Sequence, residues 1–166
     1  MVGFELPMRF PQKKLTTRVQ IPSGAPVGFM KDRITCGGVV VSKDGKIVLC
    51  FDPESNDWQI PQGGKRKEET FLAAARREIR EETGLKGLKL VKFLGVVRRP
   101  NSIKTAIKVI HIYLFKSKTK TLNPHDCDIP KWFVFEKAIR INSYPAERAF
   151  LRMHKTAILN AWKGKV

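Results

Sequence analysis

The sequence predicts a single α/β domain in which a β-sheet is covered on two sides. Its 166 residues are enough for one sizeable core and too few for two. Patterns typical of strands and of helices alternate along the chain from residue 34 onward. Because 42% of the residues are hydrophobic and 28% are charged, the composition excludes collagen-like, low-complexity and wholly disordered chains.

The first 33 residues are predicted to form an irregular basic arm. Four prolines interrupt this segment, and no hydrophobic period extends through it. A targeting presequence is the alternative, because the arm is basic and poor in acids, but the prolines argue against an amphipathic helix there. We therefore expect the folded domain to span residues 34–162.

The domain is expected to begin with a β-hairpin. Residues 34–41 and 47–51 have the apolar, β-branched composition of strands, and an Asp-Gly pair between them is typical of a tight turn. Residues 58–61 add a short extended piece, and residues 62–68 are predicted to form a loop with paired glycines.

A helix is expected at residues 69–83. Its apolar positions recur at the spacing of one helical face, and Gly84 stands where a left-handed terminating residue belongs. These apolar positions are Phe71, Leu72, Ala75 and Ile79.

Beyond this helix we expect strands at residues 88–97, 103–115 and 132–135. A helical turn at 136–141 and a helix at 145–162 close the domain. The core candidates of the second of these strands are Ile107, Val109, Ile112 and Leu114. The apolar stripe of the last helix, interpreted as packing, comprises Phe150, Leu151, His154, Ile158 and Trp162.

The sequence shows neither a secretory signal nor a membrane span. No apolar run approaches the roughly 18 to 20 residues that cross a bilayer, and residues 1–14 lack a continuous apolar stretch. Cys36, Cys50 and Cys127 are an odd number without metal-ligand spacing, so we expect buried, reduced thiols rather than disulfides or a zinc site. We therefore expect a cytoplasmic protein without a membrane partner.

The charge of the chain is strongly asymmetric. It has 32 lysines and arginines against 15 acidic residues, a net charge of +17, and no acid lies between Thr83 and His125. This excess favours a phosphate-rich ligand or a nucleic acid as partner, with a merely well-solvated surface as an equal alternative.

Three acids on the predicted helix are the strongest chemical signal. Glu78, Glu81 and Glu82 lie within an arc of roughly 100° that overlaps the apolar side of the helix, so they project toward the body of the protein. Such crowding is unfavourable without a cation, and oxygen ligands with no histidine or cysteine nearby favour Mg²⁺ or Mn²⁺. The alternative is an ordinary solvated helix face of glutamates and arginines.

The spacing around these acids resembles a known motif, the Nudix box, G-x5-E-x7-R-E-U-x-E-E-x-G-U with U aliphatic. The matching positions are Gly63, Glu69, Arg77, Glu78, Ile79, Glu81, Glu82, Gly84 and Leu85. A complete match by chance in a chain of this length is on the order of 10⁻⁷. The sequence is therefore identified as resembling the Nudix hydrolase family over roughly residues 34–162.

The resemblance implies an α/β/α sandwich with a mixed β-sheet and a pyrophosphohydrolase that uses Mg²⁺ or Mn²⁺. Glu78 and Glu82 match the principal metal-binding carboxylates of the family. Glu81 matches the third acid, which joins a second metal or polarises the attacking water. Arg77 matches the arginine that orients these glutamates and completes the catalytic set, and Glu69 matches the acid that pairs with it.

The resemblance also assigns a role to the loop before the helix and to a base outside the box. Gly63 and Gly64 match the loop that approaches the metal, a need that glycine meets because it tolerates positive φ and has no side chain. The carbonyl of Gly64 is a further candidate metal ligand. The family often takes an additional base from a remote loop, for which the candidates are Asp126, Asp128 and Glu136, each with an ordinary loop or cap role as its alternative.

The segments that flank the box resemble several subfamilies. Residues 58–64 are similar to the lead-in of dinucleoside polyphosphate hydrolases and of bacterial RNA 5′-pyrophosphohydrolases, and residues 132–145 to diadenosine or diphosphoinositol polyphosphate hydrolases. Pro100 stands where ADP-ribose hydrolases tend to carry proline, but it is also typical of a loop. The basic residues expected to meet substrate phosphates are Lys65, Arg66, Lys67, Arg98, Arg99 and Lys104.

The leading hypothesis is a divalent-metal-dependent hydrolase of dinucleoside polyphosphates or similar small-molecule polyphosphates. The alternatives are removal of 5′ pyrophosphate or a cap from RNA, hydrolysis of ADP-ribose, and a catalytically silent module that binds nucleotide or RNA. The complete set of Glu78, Glu81 and Glu82 argues against the silent module, because a binder does not need all three.

Overall fold

The computed structural model describes residues 30–125 and 128–163 as one mixed seven-stranded sheet with four helices. The strands are β1 (Lys31–Ser42), β2 (Ile47–Asp52), β3 (Asp57–Gln59), β4 (Gln62–Gly64), β5 (Lys89–Pro100), β6 (Ala106–Ser117) and β7 (Ile129–Phe133). The helices are α1 (Phe71–Thr83), α2 (Phe135–Ile141), α3 (Pro145–Met153) and α4 (Lys155–Leu159). None of these helices is long and apolar enough to cross a bilayer.

The sheet has the order β3-β2-β1-β6-β5, with β4 paired to β1 and β7 paired to β2. β1 and β6 run parallel over twelve residue pairs, while β1–β2, β1–β4 and β5–β6 are antiparallel. The central pair therefore has a parallel arrangement inside an otherwise antiparallel sheet, as the predicted mixed sheet requires.

Two hydrophobic cores lie on opposite faces of the sheet. Val39 and Val41 point to a core shared with α2, α3 and α4, whereas Val40 between them points to a core shared with α1. Because successive side chains of a strand alternate between faces, a continuous apolar run is buried on both sides. The α/β/α sandwich is thus confirmed, with α1 alone on one face.

The strands differ from the prediction where tertiary pairing extends them. β1 begins at Lys31 rather than at residue 34, because residues 31–33 pair with residues 106–108 of β6. The rest of the predicted arm, up to residue 29, lies outside the described residues. Residues 62–64, predicted as loop, form β4 because they pair with residues 35–37 of β1.

Further differences concern β5, β6 and the last helix. Pro100 ends β5 instead of lying in a loop, which is compatible with proline because β5 is an edge strand. Ile107 and Val109 are only half-buried, whereas Ile110 is fully buried on the face that packs against α2, α3 and α4. The last helix is interrupted at His154, whose φ of −98° and ψ of 9° separate α3 from α4.

Several packing predictions are confirmed. The Asp-Gly turn closes the β1–β2 hairpin with Gly45 at φ 79°. Phe150, Leu151 and Ile158 of the last apolar stripe are buried in the core. Cys36 and Cys50 are buried free thiols, and Cys127 lies outside the described residues.

Candidate active site

The acid-bearing helix α1 is fixed at both ends by capping. Thr70, just before the helix, accepts a hydrogen bond from the backbone N–H of Ala73 on its Oγ1 at 3.1 Å. At the other end Gly84 adopts φ 74° and its N–H donates to the Arg80 carbonyl at 2.8 Å. The helix therefore begins two residues later than the sequence pattern suggested and ends at the predicted residue.

The three glutamates differ in burial. Glu78 and Glu82 face the sheet and are 9% and 7% exposed, while the side chain of Glu81 on the flank of the helix is 30% exposed. Two carboxylates on the buried face of one helix are costly to ionise unless cations or hydrogen-bond donors compensate them. The solvated-face alternative therefore does not describe Glu78 and Glu82.

Arg77 is the centre of the local charge network. Its Nε and Nη2 atoms donate to the two oxygens of Glu69 at 2.6 and 2.8 Å, a bidentate pair. Its Nη1 atom donates to Glu78 at 2.5 Å and to Glu81 at 2.9 Å. Hydrogen bonds to Glu69, that from Arg77 first, lower the pKa of Glu69 to about 2. The Arg77 guanidinium thus connects Glu69, just before the helix, to two glutamates of α1.

Glu82 is held from the strand side of the site. Its Oε2 atom accepts the backbone N–H of Gln62, the first residue of β4, at 3.0 Å. Burial raises the pKa of Glu82 well above its usual range, and the negative charges of Asp128 and Glu78 act in the same direction. The surrounding protein therefore disfavours the charged form of Glu82.

The donor set fits a hard divalent cation by its chemistry. Glu78, Glu81, Glu82 and the Gly64 carbonyl all offer oxygen, and a cation would offset the crowding of acids around Glu82. Arg77 instead bridges Glu78 and Glu81 here, and its Nη2 atom donates to the Gly64 carbonyl at 2.8 Å. Across residues 30–125 and 128–163, no three acid, histidine or cysteine side chains already converge as a metal cage.

The structure gives a reason for glycine at position 63 but not at position 64. A Cβ atom on Gly63 would overlap the carboxyl group of Glu78, so glycine at this position lets that carboxyl group keep its place. A Cβ atom on Gly64 would meet nothing within 4 Å, and neither residue is among the glycines with positive φ. The predicted need for positive φ was therefore wrong, and the need for an absent side chain holds for Gly63.

Of the candidate bases in the described residues, Asp128 lies near the glutamates of α1 and Glu136 does not. Asp128 is close enough to Glu82 to raise its pKa. Glu136 lies on α2, on the opposite face of the sheet from α1, where it is exposed and pairs with Lys155 at 2.6 Å. This position is incompatible with its predicted role as base at the glutamates of α1. Asp126 lies outside the described residues.

The predicted phosphate-binding residues are not all placed alike. Arg66 lies beside the glutamates, with its guanidinium 3.6 Å from Glu81. The Lys65 ammonium donates to the carbonyls of residues 66 and 67. Arg98 pairs with Asp32 at 2.9 Å, and Lys104 is exposed in the turn between β5 and β6.

Arg99 does not fit its predicted role as a surface phosphate contact. It is 3% exposed, its Nε atom donates to Glu147 at 2.7 Å, and its Nη2 atom donates to Gln59 at 2.9 Å. Its guanidinium also lies 3.2 Å from the centre of the Tyr144 ring. Because β5 alternates between faces, Arg99 points into the protein while Arg98 points out.

A buried polar network around Glu147 was not predicted from the sequence. This acid is fully buried on α3 and accepts hydrogen bonds from four groups: Ile60 N, Gln62 Nε2, Arg99 Nε and Asn142 Nδ2. It therefore anchors the strand segment whose Gln62 N–H holds Glu82. Its burial could have been predicted from its position, because Glu147 lies three and four residues before Phe150 and Leu151 and is therefore an acid within an apolar stripe of the helix.

Comparison with known proteins identifies a family for most of this chain. A family model described as the NUDIX domain matches residues 31–153. These boundaries include β1 from its first residue and extend to the end of α3.

Curated relatives match over shorter segments. Proteins named RNA pyrophosphohydrolase from Pelagibacter ubique, Halorhodospira halophila and Bartonella henselae are 47%, 42% and 36% identical to this chain. The matches cover 34%, 40% and 36% of this chain and 37%, 36% and 40% of those proteins. The chain thus matches only about two fifths or less of the length of each relative.

Solved structures share the fold over a larger part of the chain. A C. elegans Ap4A hydrolase binary complex is 23% identical with a TM-score of 0.66, covering 76% of this chain and 97% of that chain. The E. coli ORF135 protein is 25% identical with a TM-score of 0.61, covering 80% and 97%. The first of these similarities concerns the fold alone.

Proposed function

The chain belongs to the Nudix family, and on this premise we propose that it is a metal-dependent pyrophosphohydrolase whose substrate is the 5′-polyphosphate end of RNA. The observation that carries the proposal is the arrangement around Glu82. A carboxylate buried against two other acids and held by the backbone of β4 is unfavourable as a purely structural feature, because burial and like charges both disfavour its ionised form. Perturbed acids of this kind concentrate at functional sites.

The cofactor we propose is Mg²⁺ or Mn²⁺, held by Glu78, Glu82 and Glu81 with the Gly64 carbonyl. Bound there, the ion supplies neutralisation of the phosphate charge and a lowered pKa of the attacking water. The chain's own residues have distinct tasks. Arg77 positions Glu78 and Glu81 through its hydrogen bonds, and the Gln62 N–H fixes the carboxylate of Glu82.

Asp128 is the acid that we propose as a proton acceptor near the site. It lies within electrostatic reach of Glu82, whereas Glu136 lies across the sheet. Lys65 and Arg66 on the neighbouring loop are suited to bind the outer phosphates, because they are cations at the edge of the acidic cluster.

RNA is favoured over small polyphosphates by two facts. The curated relatives named above are RNA pyrophosphohydrolases, and the net charge of +17 suits a long polyanion better than a single nucleotide. RNA therefore becomes the leading substrate, whereas the sequence alone favoured dinucleoside polyphosphates and left RNA as the alternative.

Dinucleoside polyphosphates are the second candidate. The two flanking segments that resemble hydrolases of such compounds are joined in the structure. The Trp58 N–H donates to Ser143 Oγ at 2.8 Å, and the Ser143 N–H donates to the Trp58 carbonyl at 2.8 Å. These two hydrogen bonds support a shared role of the two segments in substrate binding.

The test is a hydrolysis screen with the full chain in Mg²⁺ or Mn²⁺. The panel contains 5′-triphosphate RNA, capped RNA, dinucleoside polyphosphates, diphosphoinositol phosphates and ADP-ribose. We expect pyrophosphate or phosphate release from 5′-triphosphate RNA, and a loss of about a thousandfold or more in Glu78→Gln and Glu82→Gln. Glu54→Gln, on an exposed loop, is the matched control.

Three outcomes contradict the proposal. Turnover at the wild-type rate in either glutamine variant excludes the assigned site. Turnover of dinucleoside polyphosphates alone replaces RNA with the second candidate. Nucleotide binding without release from any compound of the panel identifies a silent module.

A further inference from the structure

A shallow basic hollow lies on α1 away from the glutamates. It has a volume of about 360 Å³ and is lined by Arg76, Arg80, Leu85, Lys86, Gly87 and Leu88. At 100° per residue, the Arg76–Arg80 pair is turned about 160° around the helix from the Glu78–Glu82 pair. The hollow is therefore separate from the acidic site, at a distance of about one helix diameter, 10–12 Å.

Among the described residues, the cations of the hollow have no acidic partner. Within residues 30–125 and 128–163, no carboxylate lies at ion-pair distance from Arg76, Arg80 or Lys86. The sequence that continues from Gly84 to residue 124 contains no acid at all. Arg80 is favoured by the C-terminal end of the helix dipole, but the dipole does not account for the convergence of three cations.

The geometry of Arg76 prepares the hollow for an anion. Its Nη1 atom donates to the Leu88 carbonyl at 2.6 Å, and its guanidinium lies 5.1 Å from the centre of the Phe115 ring. This anchoring fixes the arginine while a guanidinium retains further N–H donors. The floor is apolar, because Leu85 and Leu88 are 1% and 9% exposed, and a concave wall of low dielectric strengthens the field of the cations.

We propose that this hollow binds a backbone phosphate of the RNA, downstream of the 5′ end that is hydrolysed. The inference rests on the proposed function, since it assigns the hollow to the body of the same substrate. Two arginines and a lysine around an apolar floor suit a phosphate group, which arginine binds with two parallel hydrogen bonds and lysine as a point charge. A strand whose first phosphates lie at Glu78 and Glu82 reaches the hollow by passing around α1.

The test uses the double charge reversal Arg80→Glu with Lys86→Glu in the full chain. Arg76 is left intact because it holds the Leu88 carbonyl. The matched control is Arg140→Glu with Lys137→Glu on α2, which reverses the same two residue types on exposed positions across the sheet. Like Arg80, Arg140 stands in the last turn of its helix.

Binding is measured without divalent metal on 5′-triphosphate RNA of about 20 nucleotides, longer than the roughly 4 to 16 nucleotides that one single-strand-binding module covers. We expect the hollow variant to bind this RNA about tenfold or more weakly, and the control variant to lose much less affinity. The salt dependence of log K should also become shallower by about 0.7 for each phosphate that the variant no longer neutralises. With Mg²⁺, kcat/KM on a 5′-triphosphate dinucleotide should stay unchanged, because this substrate is too short to reach the hollow.

Each other result overturns the inference. Equal losses in the two variants mean that only the overall field attracts RNA. A loss on the dinucleotide means that the hollow acts on the catalytic site. Saturable binding of inorganic phosphate that the hollow variant alone loses, with RNA affinity intact, assigns the hollow to free phosphate. If the wild type hydrolyses no 5′-triphosphate RNA the proposed function fails, whereas wild-type hydrolysis with full RNA affinity in the hollow variant removes the inference alone.

Discussion

At the scale of single residues, Glu82 shows how a site can oppose stability. Glu82 is 7% exposed, and its Oε2 atom accepts the Gln62 N–H at 3.0 Å. The pKa of Glu82 is raised by burial, then by Asp128 and Glu78. Carrying a negative charge here therefore costs folding free energy that a neutral side chain of the same shape would not cost.

We expect Glu82→Gln to stabilise the metal-free protein at neutral pH while it abolishes turnover. The amide keeps an oxygen for the Gln62 N–H and removes the charge. A gain of about 1 kcal/mol corresponds to a rise in Tm of about 2–4 °C for a domain of this size. Calorimetry with and without Mg²⁺ checks this. A lower Tm in the variant would contradict it, and Glu54→Gln should leave Tm unchanged.

The pH dependence has a definite sign. Because the folded state raises the pKa of Glu82 above its ordinary value of 4.5, the folded protein binds the proton more tightly than the unfolded chain does. The stability that Glu82 contributes is therefore lost as pH rises from about 4.5 through the raised pKa. Glu82→Gln should lack this pH-dependent loss. The difference in free energy of unfolding between Glu82→Gln and the wild type should therefore grow as pH rises from about 4.5 through the raised pKa.

At the scale of elements, Glu147 connects α3 to the strands that carry the site. It accepts the Ile60 N–H at 3.0 Å and the Gln62 side-chain amide at 3.2 Å, and it pairs with Arg99 at 2.7 Å. Both charged groups are almost fully buried. A helix on one face of the sheet thereby fixes the backbone N–H that holds Glu82, which belongs to α1 on the other side.

We expect Glu147→Gln to destabilise the fold by about 3–5 kcal/mol, because it leaves the guanidinium of Arg99 buried without its counter-charge. The double variant Glu147→Gln with Arg99→Met should be more stable than the single variant, since it removes the unpaired cation. Urea unfolding of both proteins, of the single variant Arg99→Met and of the wild type measures the difference. If the double variant loses the sum of the two single changes, the charges are not coupled.

At the scale of the whole molecule, the excess positive charge is spread over many residues and acts as a long-range electrostatic field rather than as a single binding site. The net charge is +17, and among the ion pairs of the described residues the basic segment after Gly84 contributes only Arg98, Arg99 and Lys120. Most of its cations therefore stay available to a polyanion in water.

We expect the affinity for 5′-triphosphate RNA to fall steeply with added salt. A single strand that engages four phosphates should give a slope of log K against log salt of about −2.8. A dinucleoside polyphosphate, which displaces fewer counterions, should give a flatter response. Fluorescence anisotropy across a salt series measures both, and equal slopes would contradict an extended RNA interface.

The sequence was sufficient to predict the acid-bearing helix α1 and the fold class. The box residues from Gly63 to Leu85 are close in the chain, so helical periodicity alone places Glu78, Glu81 and Glu82 together. Alternation along β1 and β6 likewise sets which side chains enter each core, because the period of a strand is a local property.

The partners that lie far apart in the chain were decided by the tertiary structure. Arg99 and Glu147 are 48 positions apart, and only the packing of α3 on the sheet turns a supposed phosphate-binding residue into half of a buried ion pair. Pairing with β6 moved the start of β1 to Lys31, and pairing with β1 made a strand of residues 62–64. A sequence carries local periods directly, whereas long-range pairing depends on the burial and hydrogen bonding of the assembled chain.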